Sequence, residues 1–137
     1  MRFVDTNVLL YAASTAEEDE SKARVARAIL DEADVALSAQ VLQEFYVQAT
    51  HSRRSDPLTH QQAATLVEAY LRFPVQATTA DLVLAAFETR ERYQISYWDA
   101  AILEAARAAG CRLVLSEDLA HGQDYGGVRV ENPFRGL

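Results

Sequence analysis

Apolar residues recur along this chain with two different periods, and each change of period marks an element. Phe3-Val4 is a short apolar run closed by Asp5, so residues 2–5 read as a strand, with Thr6-Asn7 as caps for a helix over residues 8–13. After a polar, acidic stretch, Ala23, Ala26, Ile29, Leu30 and Ala33 repeat at helical spacing and predict a helix over residues 21–33. Val35-Ala-Leu-Ser38 is a second strand, and Ser38 can cap a helix over residues 39–50. The apolar face of that helix is Val41, Leu42, Phe45, Tyr46 and Ala49; Glu44 lies at its edge, in a stripe with Gln40 and Gln48. Residues 51–57, HSRRSDP, read as a flexible loop.

Thr59-His-Gln-Gln62 is a capping box that opens a helix carrying Leu66, Val67, Tyr70 and Leu71. A turn with a short strand follows at residues 73–77, and Thr78-Thr-Ala-Asp81 boxes the start of a helix reaching about Tyr93. The stretch 95–118, ISYWDAAILEAARAAGCRLVLSED, then forms one unit with an acid near each end. Asp99 opens a helix with Ile102, Leu103 and Ala106 on one face, Gly110 stops it, and residues 112–115 make a buried strand. Asp118 lies just past that strand, and a last strand at residues 128–130 follows the Gly126-Gly127 turn.

This alternation predicts an α/β fold with a parallel sheet covered by helices. In such sheets the ligand crevice lies beyond the carboxyl ends of the strands. Three segments place polar residues there: Asp5-Thr-Asn7, Ser38-Ala-Gln40 and Ser116-Glu-Asp118. If the strands are parallel neighbours, Asp5 and Asp118 face each other, Asp99 enters from a helix start and Glu44 from a helix flank.

Composition narrows the picture. At 137 residues the chain has the length of one domain, and no apolar run approaches the roughly 20 residues of a membrane helix. The start has no signal-peptide pattern, and the single cysteine, Cys111, allows neither an internal disulfide nor a cysteine-based zinc site. A cytoplasmic protein without a membrane partner is expected. The net charge of −7 argues against a bulk electrostatic grip on nucleic acid. It leaves room for a local basic groove, or for acids neutralised by cations. Lys22 is the only lysine among 13 basic residues.

Gathered carboxylates have a definite chemistry. Two of them about 4 Å apart repel by about 4 kcal/mol at an effective dielectric near 20. Either they protonate or a cation sits among them. Oxygen-only ligands select hard ions such as Mg²⁺ or Mn²⁺, which can activate water against a phosphodiester. Asn7 and Ser116 are neutral side chains able to orient a carboxylate or a metal-bound water. Each acid also has a plain structural role open to it. Asp5 can cap the helix that follows, Asp99 can complete a capping box with Ser96, Asp118 and Glu117 can cap a turn, and Glu44 can simply face solvent.

At this point the residues resemble a known family. Val4-Asp5-Thr-Asn-Val-Leu-Leu-Tyr11 is similar to the opening motif of PIN-domain ribonucleases. Glu44 in SAQVLQEF, Asp99 in SYWDAAI and Asp118 in LSEDL match the other three acidic positions of that family, in order. The resemblance runs through the closing GGVRVENPF and covers essentially the whole chain, whose length and simplicity look most like VapC-type toxins. It implies a single PIN-like domain over residues 1–137, three-layered α/β/α with a central, mainly parallel sheet. It also implies a Mg²⁺- or Mn²⁺-dependent endoribonuclease, a homodimer, silenced by a cognate antitoxin. By position, Asp5, Glu44, Asp99 and Asp118 would be catalytic and metal-binding, with Asn7 and Ser116 supporting them. Ser116 stands where the family often has threonine, and Glu117 adds a further carboxylate. Arg53, Arg54, Arg24 and Arg27 are candidates for RNA backbone contacts, since guanidinium suits phosphate.

Other phosphoryl chemistries fit less well. A receiver-type domain wants a lysine late in the sheet, and none follows Lys22; a haloacid-dehalogenase-type phosphatase wants Asp-x-Asp, and the second place here is Asn7. The alternative from another class is a PIN-like module that binds RNA or protein without cleaving.

Overall fold

Short runs of strand-forming residues become the strands of a sheet, and those in its middle are buried on both faces. In the computed structural model, which describes residues 1–137, those runs become β1 (Arg2–Val4), β2 (Val35–Ser38), β3 (Val75–Gln76), β4 (Leu113–Leu115) and β6 (Val128–Glu131). A sixth strand, β5 (Asp124–Tyr125), was not legible in the pattern, being two residues long. The sheet order is β3-β2-β1-β4-β6-β5, parallel throughout except that β5 runs antiparallel to β6. All four residues of β2 are buried, as are Phe3, Val4, Val114 and Leu115.

Six α-helices pack on this sheet in a three-layer α/β/α arrangement: α1 (Thr6–Ala13), α2 (Glu20–Asp31), α3 (Ala39–Ala49), α4 (His60–Tyr70), α5 (Ala80–Tyr93) and α6 (Tyr97–Ala108). Ser38 caps α3, and Thr59 with Gln62 makes the full capping box at α4, as their local sequences predict. The α5 cap is Thr79, whose hydroxyl accepts from the Leu82 N–H, and not Thr78. In α6 every residue from Ala100 to Ala106 is buried, where a single apolar face was expected. The cause is its position between α5 and the sheet, which four alanines in that run allow to be close. Its buried Glu104 is satisfied by Arg107 at 3.0 Å and the Thr89 hydroxyl at 2.8 Å.

The loop at residues 51–57 touches the end of α1 through Asp56, whose carboxylate accepts from both the hydroxyl (2.7 Å) and the N–H (3.3 Å) of Thr15. No helix is long and apolar enough to cross a membrane.

The strand order decides where function lies. The chain winds outward from β1 to β2 and β3, then returns to the other side of β1 to lay down β4. The reversal between β1 and β4 is a topological switch point, where a crevice opens beyond the strand ends. Asp5 follows β1 directly, and Ser116-Glu-Asp118 follows β4.

Candidate active site

The register of β1 on β4 pairs Phe3 with Val114 and Val4 with Leu115, which brings Asp5 alongside Ser116. The Ser116 hydroxyl donates to Asp5 Oδ2 at 2.7 Å, while Asp5 Oδ1 accepts the Thr6 N–H at 2.8 Å. Asp5 is thus the N-cap of α1, which begins two residues earlier than its apolar pattern suggested. The cap and the crevice share one side chain. Asn7, inside the first turn, reaches across to the β4 end: its amide donates to Ser116 Oγ and Asp118 Oδ2, both at 3.3 Å, and its Oδ1 accepts the Glu117 N–H at 3.1 Å.

Ser116 is the hub of this arrangement. It is fully buried, and besides donating to Asp5 it accepts from the N–H groups of Asp118 (3.1 Å) and Leu119 (3.3 Å). Ser116→Ala removes the acceptor and leaves buried donors unpaired, each a loss on the order of 1–3 kcal/mol. We expect urea denaturation to show a loss of about 2 kcal/mol; a stability equal to the parent's would mean the turn does not depend on this hydroxyl.

Glu44 comes from the second turn of α3 and is held from two sides. The Thr6 hydroxyl donates to its Oε2 at 2.9 Å, and the Gln40 amide donates to its Oε1 at 2.8 Å. Asp99 enters from the first turn of α6. Ser96 accepts the Asp99 N–H at 3.1 Å, but the reciprocal half of the capping box is not made, so the Asp99 carboxylate faces the crevice.

All four acids line one cavity of about 120 Å³, together with Thr6, Asn7, Gln40, Gln48 and Trp98, and no basic side chain lines it. Burial pushes the Asp5 carboxyl up to about 6; the hydrogen bonds from Ser116 and Thr6 oppose that, and the charges of Asp118 and Glu44 add to it. Burial also raises the Asp99 carboxyl, against a hydrogen bond from Ser96 and with the help of Asp118 and Glu44. The cavity is therefore short of positive charge. No three of these acids converge tightly enough to enclose an ion by themselves. That spacing suits Mg²⁺, which keeps several waters and takes only one or two carboxylates directly. The all-oxygen donor set excludes the zinc preference for nitrogen and sulfur.

Glu117 turns the other way. Its carboxylate accepts from the Tyr11 hydroxyl at 2.5 Å and pairs with Lys22, outside the acidic cavity. Burial works to raise the Glu117 carboxyl, but the Lys22 and Tyr11 hydrogen bonds outweigh it and hold it below the usual range. Its contribution is to anchor the turn that carries Asp118, not to add charge to the cavity.

The arginines are dispersed. Arg27 donates to the carbonyls of Ala12 and Ser14, both at 2.9 Å, and so ties down the end of α1 instead of standing free for a phosphate. Arg24 is exposed near Glu20, and Arg53 and Arg54 lie on the 51–57 loop; none lines the acidic cavity. Thr6, Gln40, Gln48 and Trp98 were not singled out as site residues from sequence. For Gln40 and Gln48 the signal was their spacing of four from Glu44, and for Trp98 its adjacency to Asp99. A larger hollow of about 470 Å³ opens at the amino ends of β4 and β6, but it holds no acid, and its Arg107 is already bonded to the Tyr125 and Gly126 carbonyls.

Comparison with known proteins bears on this geometry. A sequence profile described as PIN domain matches residues 2–123. No curated protein matches the chain. Among solved structures, the chain is similar to one in a toxin–antitoxin complex from Klebsiella pneumoniae (20% identity, TM-score 0.71, 98% of each chain covered). It is also similar to Mycobacterium tuberculosis VapC20, described as a sarcin-ricin-loop-cleaving toxin (22% identity, TM-score 0.67, covering 86% of this chain and 90% of that one). A third similar structure is a DNA-bound VapBC complex from Salmonella typhimurium (19% identity, TM-score 0.66, covering 96% and 97%). At these identities the structures speak for the fold, and the profile match over most of the chain speaks for the family. With its acids at the switch point of a mainly parallel sheet, the chain belongs to the PIN-domain family.

Proposed function

We propose that this protein is a Mg²⁺- or Mn²⁺-dependent endoribonuclease that hydrolyses RNA phosphodiester bonds, and that it is the toxin of a toxin–antitoxin pair. The observation that carries the reading is the cavity itself: four carboxylates from four separate segments line it, with no basic side chain among them. A hard divalent ion balances that charge and, when bound, supplies an activated water and neutralises the phosphate.

The chain's own residues do the positioning. Asp5, Glu44, Asp99 and Asp118 are the groups that would hold the ion, one or two of them directly and the others through its waters. Ser116 and Thr6 fix the Asp5 carboxylate, and Thr6 and Gln40 fix that of Glu44. Asn7 joins the start of α1 to the Asp118 turn and so cross-links the two strand ends. Arg53, Arg54 and Arg24 are the proposed outer contacts to the RNA backbone. A cognate antitoxin and a second copy of the chain are the proposed protein partners; the solved complexes similar in fold are toxin–antitoxin assemblies.

The test is cleavage of a structured RNA in Mg²⁺, followed on a gel. Cutting that stops on addition of a chelator and returns with Mg²⁺ or Mn²⁺ is the expected result. Binding of the RNA without any cutting in either ion would replace the nuclease by a non-cleaving RNA-binding module.

A further inference from the structure

Beside the acidic cavity lies a second hollow of about 490 Å³, lined by Gln40, Gln43, Glu44, Val47, Gln48 and Trp98. Four of these residues, Gln40, Glu44, Gln48 and Trp98, line the acidic cavity as well, so the two spaces adjoin. Trp98 is the only tryptophan, and it is 64% exposed although it sits next to Asp99 on a helix whose residues 100–106 are all buried. Its mount is fixed: Tyr97 meets its ring edge-on at a centroid distance of 5.0 Å, and the Gln40 amide lies 3.4 Å from its carbonyl oxygen. An apolar surface of this size left in water, on a well-held backbone, suits a partner with a flat apolar face.

We propose that this hollow binds one unpaired nucleobase of the RNA, stacked on Trp98, immediately beside the phosphate presented to the four acids. The inference rests on the reading that the substrate is RNA, and it adds where the base next to the reacting phosphate is held. Charge selects the base over the phosphate. The hollow contains Glu44 and no lysine or arginine, so a phosphate would be repelled while a neutral aromatic ring would not. The exposed Gln43 and Gln48 amides each carry donors and an acceptor, which complement the edge of any base. A paired base has its faces stacked and its edge already bonded, so single-stranded or looped RNA is the class that fits.

Because Trp98 is the sole tryptophan, its fluorescence reports the hollow directly. In stopped-flow mixing in Mg²⁺, the amplitude before turnover should show quenching by a single-stranded ten-nucleotide RNA and little by the same sequence annealed as a duplex. In steady-state cleavage, Trp98→Ala should raise KM about tenfold or more, with most of the loss in KM and not in kcat, and Trp98→Phe should recover most of it. Thermal melts check that both variants fold. If single-stranded RNA quenches but nothing is cut, the base-binding hollow stands and the nuclease reading falls. If RNA is cut but single strands leave the fluorescence unmoved and Trp98→Ala keeps the parent's KM, the hollow is not a base site. An emission shift that follows protein concentration without RNA would place Trp98 in a contact between copies and likewise overturn the proposal.

Discussion

Asp99→Asn is expected to lower the kcat for RNA cleavage on the order of 100- to 1000-fold while leaving the fold intact. The side chain is half-buried in the first turn of α6, and the bond that caps the helix there uses the Asp99 backbone N–H, which the substitution keeps. What is lost is a charge facing the cavity. Burial raises its pKa, and Asp118 and Glu44 repel it further, so the folded chain bears this carboxylate at a disadvantage. On the proposed reading the ion offsets that disadvantage, and loss of a charge that helps to stabilise a transferring phosphate is a matter of several kcal/mol. The measurement is single-turnover cleavage at saturating Mg²⁺, with circular dichroism as the control for folding. Cutting at the parent's rate by a folded Asp99→Asn protein would remove Asp99 from the mechanism.

The second large effect is on stability, and it has the opposite sign from most buried-residue substitutions. In metal-free protein, Asp5→Asn should stabilise at neutral pH by about 1–3 kcal/mol. Folding raises the Asp5 carboxyl from 3.8 to about 6, burial being the main cause. A shift of this size corresponds to about 3 kcal/mol between the two protonation states. Since the folded state binds this proton more tightly than the unfolded state, the contribution is fully favourable below about pH 4. It is lost as pH rises toward 6 and stays lost above that. Asparagine keeps an oxygen for the Thr6 N–H and carries no charge, so its stability should not show this fall. Its amide NH₂ cannot accept from the Ser116 hydroxyl, a pH-independent cost that keeps the net gain below the full value of about 3 kcal/mol.

Urea denaturation in chelator at several values between pH 4 and 7.5, parent against variant, isolates the term from the other carboxylates. The difference between the two should grow with pH through that window; a difference that is flat, or that shrinks, contradicts the assigned burial. Adding Mg²⁺ should reverse the ranking, because an ion that binds only the folded state stabilises it by mass action and Asp5→Asn binds it less well.

The reading from sequence succeeded where the cause is local. An apolar strand must end in something polar when it leaves the core, and helix starts select Ser, Thr and Asp. The strand ends at Asp5 and Ser116, and the caps at Ser38 and Thr59, were therefore visible in short stretches. Glu44 and Asp99 were weaker locally, since a flank residue and a third-position cap residue look alike whether or not they have a further task. They stood out only in the ordered set of motifs. The reading stopped short where a side chain had two destinations within reach. Glu117 went to Lys22 and Tyr11, Arg27 to the carbonyls at the end of α1, and Asp56 to Thr15. Each choice was made by a partner many residues away.

By itself, then, the sequence determined the alternation of strands and helices and put an acid at each place where an element meets the crevice. Period, capping and turn chemistry act over a few residues and need no partner. Only the tertiary structure decided that β1 lies between β2 and β4, so that Asp5 meets Ser116 across 111 residues of chain, and that Trp98 remains in solvent beside them. Strand order and exposure are settled by which distant surfaces exclude water together, and no short stretch of this chain carries that information.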